Sequence, residues 1–231
     1  EYTVTEANKN VEGYVVDTTM SSATGTISKG ETKTASFTNT YTKATQDLTI
    51  TKVIKNLSPD ADFKLDTSKT KYTFTVTADA GVDVTGNTYT TDRNTDVPFD
   101  ASGEATVTIQ GEGSIVIKGL PVGGYTVTEQ KSEDVTGYDF KGVTYAPTGG
   151  KATLTSKTPG QVTVTNKYEI KKVDVTVKKV LDGNMYDSKD RFTFKATGVS
   201  DFDLANNETK EITVDYGSTF TVTEEANSKG Y

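Results

Sequence analysis

Apolar and polar residues alternate along most of this chain with a period of two. Such alternation turns one row of side chains toward a core and the other toward water, as in a half-exposed β-strand. The clearest strands are predicted at residues 47–54, 71–77, 105–109, 114–118, 125–129 and 161–166. Glycine-rich turns separate them, and no stretch has the spacing of an amphipathic helix. The sequence therefore predicts an all-β protein.

The composition is typical of short β-strands that form several small cores. Val, Ile, Tyr, Phe and Thr are frequent while Leu is scarce, which is typical of half-buried β-strands. Hydrophobic residues make up only 33% of the 231 positions. We therefore expect several thin sandwiches instead of one thick one.

Two missing residue types exclude several functions. The chain has no Cys and no His, which excludes disulfides, thiol nucleophiles, Ser-His-Asp triads and Cys or His metal ligands.

Charge and hydropathy exclude two further kinds of partner. A net charge of −7 opposes binding to nucleic acid, because the negative phosphates of a nucleic acid are attracted to positively charged surfaces. No apolar run is long enough to cross a bilayer or to form a signal peptide. We expect no cofactor, no metal site, no nucleic-acid partner and no membrane insertion.

One strand motif occurs three times. An aromatic residue followed by Thr-Val-Thr-Glu ends at Glu6, at Glu129 and at Glu224. A Gly-Tyr pair follows each copy, at residues 13–14, 137–138 and 230–231. Recurrence in a fixed order indicates an array of similar structural units.

Two further elements recur around this motif. A Thr-Asn element ends at Asn39 and again at Asn166, 33 residues after the first Glu and 37 residues after the second. A predicted strand carries a Lys at Lys52 and again at Lys179, where the alternation favours Lys179 over the adjacent Lys178. The similar spacings indicate a single type of module.

These markers divide the chain into three segments. Residues 1–45 form the C-terminal part of a first module, residues 46–169 a complete module, and residues 170–231 the N-terminal part of a third. Two interpretations stay open for the incomplete ends. Either the sequence is a fragment of a longer array, or copies assemble head to tail and the pair Lys179 and Asn39 joins them.

The complete module contains the residues needed for a self-made cross-link. First and last strands can be neighbours in a Greek-key sandwich, so Lys52 and Asn166 can meet with Glu129 beside them. A buried Lys amine holds its proton less tightly, so its pKa falls and the neutral nucleophile becomes available. The Asn amide offers the carbonyl carbon, while Glu129 can polarise the amide and relay protons as ammonia leaves. The product is an isopeptide bond, made once and never turned over, so no enzyme activity with turnover is expected.

These motifs resemble a known family of cell-surface domains. The Thr-Val-Thr-Glu strand with its Gly-Tyr pair, the opening-strand Lys and the closing Thr-Asn are similar to those of CnaB-type and streptococcal pilin isopeptide-linkage domains. Such domains belong to Gram-positive surface adhesins and pilus subunits. The resemblance implies tandem immunoglobulin-like Greek-key β-sandwich modules, in which Lys52 is linked to Asn166 and Glu129 is the catalytic acid.

The same resemblance assigns roles in the incomplete segments. It implies that Lys179 and Glu224 are the nucleophile and acid of the third module, and that Glu6 and Asn39 are the acid and acceptor of the first. No LPxTG-like sorting signal or Tyr-Pro-Lys pilin motif occurs, so the covalent polymerisation of backbone pilins is not expected.

The predicted function is mechanical. We expect a stalk or pilus-shaft segment of a cell-surface adhesin, located outside a Gram-positive cell at its wall or surface, whose partners are adjacent modules and copies of itself. A ligand-binding module for a host matrix protein or glycan is the alternative, with loops bearing Tyr138 and Tyr145 as contact sites. A glycosidase with paired carboxylates is a weaker alternative, because no such pair converges in the sequence.

Overall fold

The computed structural model describes residues 1–7, 9–132, 134–183, 187 and 189–226. These residues form nineteen strands and one 3₁₀ helix at Thr148–Gly150. The first eleven strands are β1 Tyr2–Thr3, β2 Tyr14–Ser21, β3 Thr24–Gly25, β4 Ser36–Lys43, β5 Thr45–Asn56, β6 Lys71–Ala78, β7 Thr88–Thr91, β8 Asp96–Pro98, β9 Glu104–Gln110, β10 Gly113–Pro121 and β11 Gly123–Glu129. The others are β12 Tyr138–Ala146, β13 Lys151–Leu154, β14 Gly160–Ile170, β15 Lys172–Lys178, β16 Phe192–Ala196, β17 Phe202–Leu204, β18 Thr209–Asp215 and β19 Val222–Glu224.

The chain divides into two compact units. Unit 1 comprises Glu1–Ile54, Thr67–Ser132 and Val143–Asn166, and unit 2 comprises Lys55–Asp66, Glu133–Gly142 and Lys167–Tyr231. Within the described part of the chain, no helix is long and apolar enough to cross a membrane.

Unit 1 is built around a β-sandwich. One sheet has six strands in the order β12-β14-β5-β10-β7-β8, and the other has four in the order β13-β11-β6-β9. In the six-stranded sheet, β5 lies between β14 and β10. The opening strand of the central segment is therefore hydrogen-bonded to its closing strand.

Strict alternation fills the space between these sheets. Along β9, for example, Ala105, Val107 and Ile109 are buried while the residues between them are exposed. The core draws on both sheets, and its fully enclosed members include Leu48, Ile50, Phe74, Val76, Ile109, Ile117, Leu120, Val127 and Val164. Burial of this apolar surface stabilises the sandwich.

The N-terminal segment of unit 1 has less apolar burial. Strands β2 and β4 pair antiparallel along their whole length, from Tyr14 opposite Lys43 to Ser21 opposite Ser36. Most of their side chains are exposed.

Unit 2 contains a second, smaller β structure. Strands β15 and β18 pair antiparallel, and β16 lies between β17 and β19. Its small core consists of Phe192, Phe194 and Leu204, against which partly buried residues such as Val177 pack. The prediction of an all-β protein made of immunoglobulin-like sandwiches is confirmed.

A buried lysine–glutamate–asparagine site

Strand alternation turns the predicted Lys and Asn toward the core. On β5, Lys52 continues the buried row of Leu48 and Ile50. On the adjacent strand β14, Asn166 continues the buried row of Val162 and Val164. The two polar side chains therefore enter the sandwich from neighbouring strands of the same sheet.

The predicted acid approaches from the opposite sheet. Glu129 is the last residue of β11, where it follows the buried Val127 by two positions and lies opposite Phe74 of β6. This position points its carboxylate across the interior toward β5 and β14.

The three side chains form one hydrogen-bonded cluster, which we call the Lys-Glu-Asn site. Lys52 Nζ donates to Glu129 Oε2 at 2.7 Å, and Asn166 Nδ2 donates to Glu129 Oε1 at 2.7 Å. The side chains of Lys52 and Glu129 are 0% and 2% exposed, and Asn166 is 0% exposed. One carboxylate thus holds the amine and the amide together, sealed from water.

Burial sets the electrostatics of the amine. Removal from water lowers the pKa of Lys52 below 10.5, and the hydrogen bond and charge of Glu129 oppose this only in part. The neutral, nucleophilic form of the amine is therefore more accessible than for a lysine in solution.

Only one of the two polar atoms of the Asn166 amide has a hydrogen-bond partner among the described residues. Its Nδ2 contacts Glu129, whereas its buried Oδ1 has no hydrogen-bond partner among the described residues. Glu129 therefore contacts the amide through its nitrogen and not through its carbonyl oxygen. A buried acceptor without a partner costs about 1–3 kcal/mol, so burial of this oxygen is unfavourable.

Sequence reasoning missed a fourth polar member, Ser132. Its hydroxyl accepts a hydrogen bond from Asn166 Nδ2 at 2.8 Å and donates to Glu129 Oε1. Ser132 lies three residues after Glu129, but the residue at the same distance from Glu6 is Lys9. The repeats therefore carried no signal for it.

Two tyrosines complete the surroundings. The Lys52 amine lies 4.4 Å from the ring centre of Tyr72, a distance at which the ring face attracts a cation. The hydroxyl of Tyr145 accepts a hydrogen bond from the backbone N–H of Glu129 at 3.1 Å.

The alternative interpretation of the sequence placed Tyr138 and Tyr145 in ligand-binding loops, and that placement is wrong. Both lie in β12, and Tyr138 is 0% exposed.

The third predicted segment reproduces the lysine half of the site. Lys179 Nζ lies 2.7 Å and 2.9 Å from the two carboxylate oxygens of Glu224, and 4.0 Å from the ring centre of Phe192. Glu224 lies opposite Phe194 as Glu129 lies opposite Phe74. The side chains of Lys179 and Glu224 are 13% and 36% exposed, so this pair is less shielded than its counterpart in the core.

The first segment reproduces the amide half. Asn39 Nδ2 donates to Glu6 Oε1 at 2.6 Å, and Asn39 Oδ1 accepts a hydrogen bond from Thr18 at 2.7 Å. Glu6 is exposed and Asn39 is half-buried. Each of the three repeated segments thus places its predicted acid in contact with its predicted nucleophile, its acceptor, or both.

A family of uncharacterised domains matches the central segment. Its description reads Domain of unknown function (DUF7601), and the match covers residues 46–168, more than half of the chain. The chain belongs to the DUF7601 family. The Lys-Glu-Asn site lies wholly within the matched part of this DUF7601 protein. No curated protein matches the chain in sequence.

Solved structures similar to this DUF7601 protein include pilins and pilus adhesins. The pilus-presented adhesin Spy0125 (Cpa) is 23% identical with a TM-score of 0.39, and the similarity covers 56% of this chain and 28% of the adhesin. The major pilin T3.2 from Streptococcus pyogenes is 18% identical with a TM-score of 0.44, over 69% of this chain and 64% of the pilin. The Bacillus anthracis TIE protein is 16% identical with a TM-score of 0.30, over 83% of this chain and 31% of that protein. This chain therefore spans only about a quarter of the length of the adhesin.

Proposed function

We propose that this DUF7601 protein is a stalk or pilus-shaft segment of a Gram-positive cell-surface adhesin. In this proposal the module at residues 46–169 locks itself with an isopeptide bond between Lys52 and Asn166. The observation that carries the proposal is the buried carboxylate of Glu129, which contacts the amine and the amide at 2.7 Å each.

The reaction balances without any outside reagent. Glu129 takes a proton from Lys52, and the neutral amine attacks the side-chain carbonyl carbon of Asn166. Glu129 then passes that proton to Nδ2, the bond from the carbonyl carbon to Nδ2 breaks, and ammonia leaves. Glu129 takes the second proton from the attacking nitrogen, so that a neutral amide and a protonated Glu129 remain. A half-turn of the amide would exchange Nδ2 with Oδ1, so that the protonated acid could also donate to the carbonyl oxygen. Folding has already brought the groups together, which supplies much of the rate enhancement.

The cross-link would have a mechanical purpose. It joins β5 to β14, the opening and closing strands of the module, which are already neighbours in the six-stranded sheet. Tension applied through these strands would then run through a covalent bond instead of separating the sandwich. A chain without cysteine gains by this route the protection that disulfides give many extracellular domains.

The outer segments support the same chemistry in partial form. We propose that Lys179 and Asn39 react with an acceptor and a nucleophile from neighbouring modules or from other copies, with Glu224 and Glu6 as their acids. Covalent multimers in denaturing mass spectrometry would favour linkage between copies, and a purely monomeric mass would count against it.

Intact-mass spectrometry under denaturing conditions tests the central proposal. The chain should be lighter than its sequence mass by one ammonia, about 17 Da, and a protease digest should yield one peptide pair joined through Lys52 and Asn166. The Glu129→Gln variant keeps the shape of the acid but cannot accept a proton from the amine, so it should keep the full mass. Glu112→Gln, which changes an exposed Glu, is the matched control and should still lose ammonia. Ammonia loss that persists in Glu129→Gln would remove Glu129 from the mechanism.

A further inference from the structure

The Gly-Tyr pairs at residues 13–14 and 137–138 take no part in the Lys-Glu-Asn site. The pairs at residues 13–14 and 137–138 are described, whereas 230–231 lies outside the described residues. Gly13 has a φ of 78° and Gly137 a φ of 75°, a conformation that strains any residue with a side chain. The carbonyl oxygens of both glycines accept hydrogen bonds from residues that join two predicted modules.

The first of these joining residues is Ala44. It is the one residue between the end of β4 and the start of β5, and it is 3% exposed. Its N–H donates to the Gly13 carbonyl at 2.9 Å, and its own carbonyl accepts a hydrogen bond from the Val122 N–H at 3.1 Å. Val122 lies in the turn between β10 and β11, just before the strand that carries Glu129.

The second joining residue, Lys171, repeats the pattern. It is the one residue between the end of β14 and the start of β15. Its N–H donates to the Gly137 carbonyl at 2.9 Å, and its carbonyl accepts a hydrogen bond from the Tyr216 N–H at 2.8 Å. Tyr216 directly follows β18 and precedes the strand that carries Glu224. We call this pair of backbone hydrogen bonds around one joining residue the junction relay.

A side-chain ion pair lies beside each junction relay. At the first junction, Lys43 of β4 pairs with Asp83 of the central segment at 2.8 Å. At the second, Lys171 itself pairs with Asp134 at 3.2 Å. Ion pairs this exposed contribute little to stability, so the backbone bonds and the close packing carry the contact.

Packing is tightest at the second junction. The ring of Phe63 packs edge-on against Tyr216, with ring centres 5.0 Å apart. A Cβ atom added at Gly137 would lie 2.7 Å from both rings, and one added at Gly217 would lie 2.8 Å from Phe63. At the first junction, a Cβ at Gly13 would meet only Val122, at 3.7 Å. Glycine at position 137 is therefore required by space as well as by backbone conformation.

We propose that the junction relay is the docking interface through which one module binds the next module of the same type. The joining residue is anchored on one side to the Gly-Tyr turn of the preceding module. On the other side it is anchored to the turn before the Glu strand of the following module. Flexible tethers are longer and rich in Gly and Ser, whereas each linker here is a single residue with both backbone groups bonded. This inference rests on the division into modules that the proposed function assumes, and it is independent of isopeptide chemistry.

Amide hydrogen exchange followed by NMR in the intact chain tests the interface. The N–H groups of Lys171 and Tyr216 should be protected, because both are bonded within the relay. Gly137→Ala should speed their exchange at least about fivefold, the equivalent of losing one net hydrogen bond. Gly198→Ala is the matched control, since Gly198 has the same φ of 75° with no atom within 4 Å of an added Cβ. Phe63→Ala, which removes the packing without backbone strain, should also speed exchange at both amides.

The outcomes separate this inference from the proposed function. The amides of Ala44 and Val122 should stay protected in Gly137→Ala, which shows that the effect is local and that the chain remains folded. Unchanged exchange at Lys171 and Tyr216 in both Gly137→Ala and Phe63→Ala would overturn the interface. The mass of the same samples reports on the isopeptide bond, so either idea can fail while the other stands.

Discussion

Removal of the acceptor amide gives the sharpest measure of what the proposed cross-link contributes to the stability of the module. In Asn166→Ala the Lys52–Glu129 ion pair stays in place, since its 2.7 Å contact does not involve Asn166. The bond can no longer form, while the buried charge keeps its partner. Substitution of Glu129 would instead leave the lysine charge unpaired in the core, which typically costs about 3–5 kcal/mol and would mask the effect of the cross-link.

The expected loss follows from the length of chain that the bond closes. Lys52 and Asn166 are separated by 114 positions, from 52 to 166. Loop-closure entropy for a cross-link of this span amounts to about 5 kcal/mol at 25 °C. A module of about 120 residues has an unfolding entropy of about 0.25 kcal/mol/K, so the melting temperature should fall by about 20 °C.

The assay is calorimetry of the unsubstituted chain and of the Asn166→Ala chain, with intact mass measured on the same samples. Thr165→Ala is the matched control, because Thr165 is the neighbour of Asn166 on β14 and faces away from the site. It should keep the ammonia loss and change stability by no more than about 0.5 kcal/mol. If Asn166→Ala is destabilised by only about 1 kcal/mol, the value of one hydrogen bond, the unsubstituted chain carries no cross-link and the argument fails.

Two further predictions concern the Lys-Glu-Asn site. In the unlinked Asn166→Ala chain, stability should rise with pH between the lowered pKa of Lys52 in the folded state and its ordinary value of 10.5, because the unfolded chain binds that proton more tightly. Urea midpoints followed from about pH 7 to about pH 10 should show this rise. A chain that carries both Asn166→Ala and Lys52→Met should not show it. If the two chains have the same pH dependence, Lys52 is not the group responsible for the rise. Ser132→Ala should slow linkage about tenfold without changing the final mass, because the hydroxyl holds Asn166 Nδ2 and Glu129 Oε1 in place but is not consumed. A mass time course after cell-free synthesis measures this, with Ser132→Thr expected to restore the rate; equal rates for Ser132→Ala and the unsubstituted chain would leave the hydroxyl a packing role only.

The sequence alone determined six strands of the central segment and the faces on which their polar residues lie. Period-two alternation is a local property, so Lys52, Glu129 and Asn166 could each be assigned to the row of their apolar neighbours without knowledge of the fold. The repeats indicated which Lys, Glu and Asn belong to one site, because three copies of the Glu motif occur in a fixed order with the Lys and Asn elements.

Tertiary structure decided what no local pattern encodes. The pairing of β5 with β14 brings together residues more than a hundred positions apart, and only the completed sheet fixes such a contact. The role of Ser132, the orphan Oδ1 of Asn166 and the crowding around Gly137 depend on atoms from other strands and loops. A local pattern records which side of a strand a residue faces, whereas its reactivity depends on which groups the folded chain places against it.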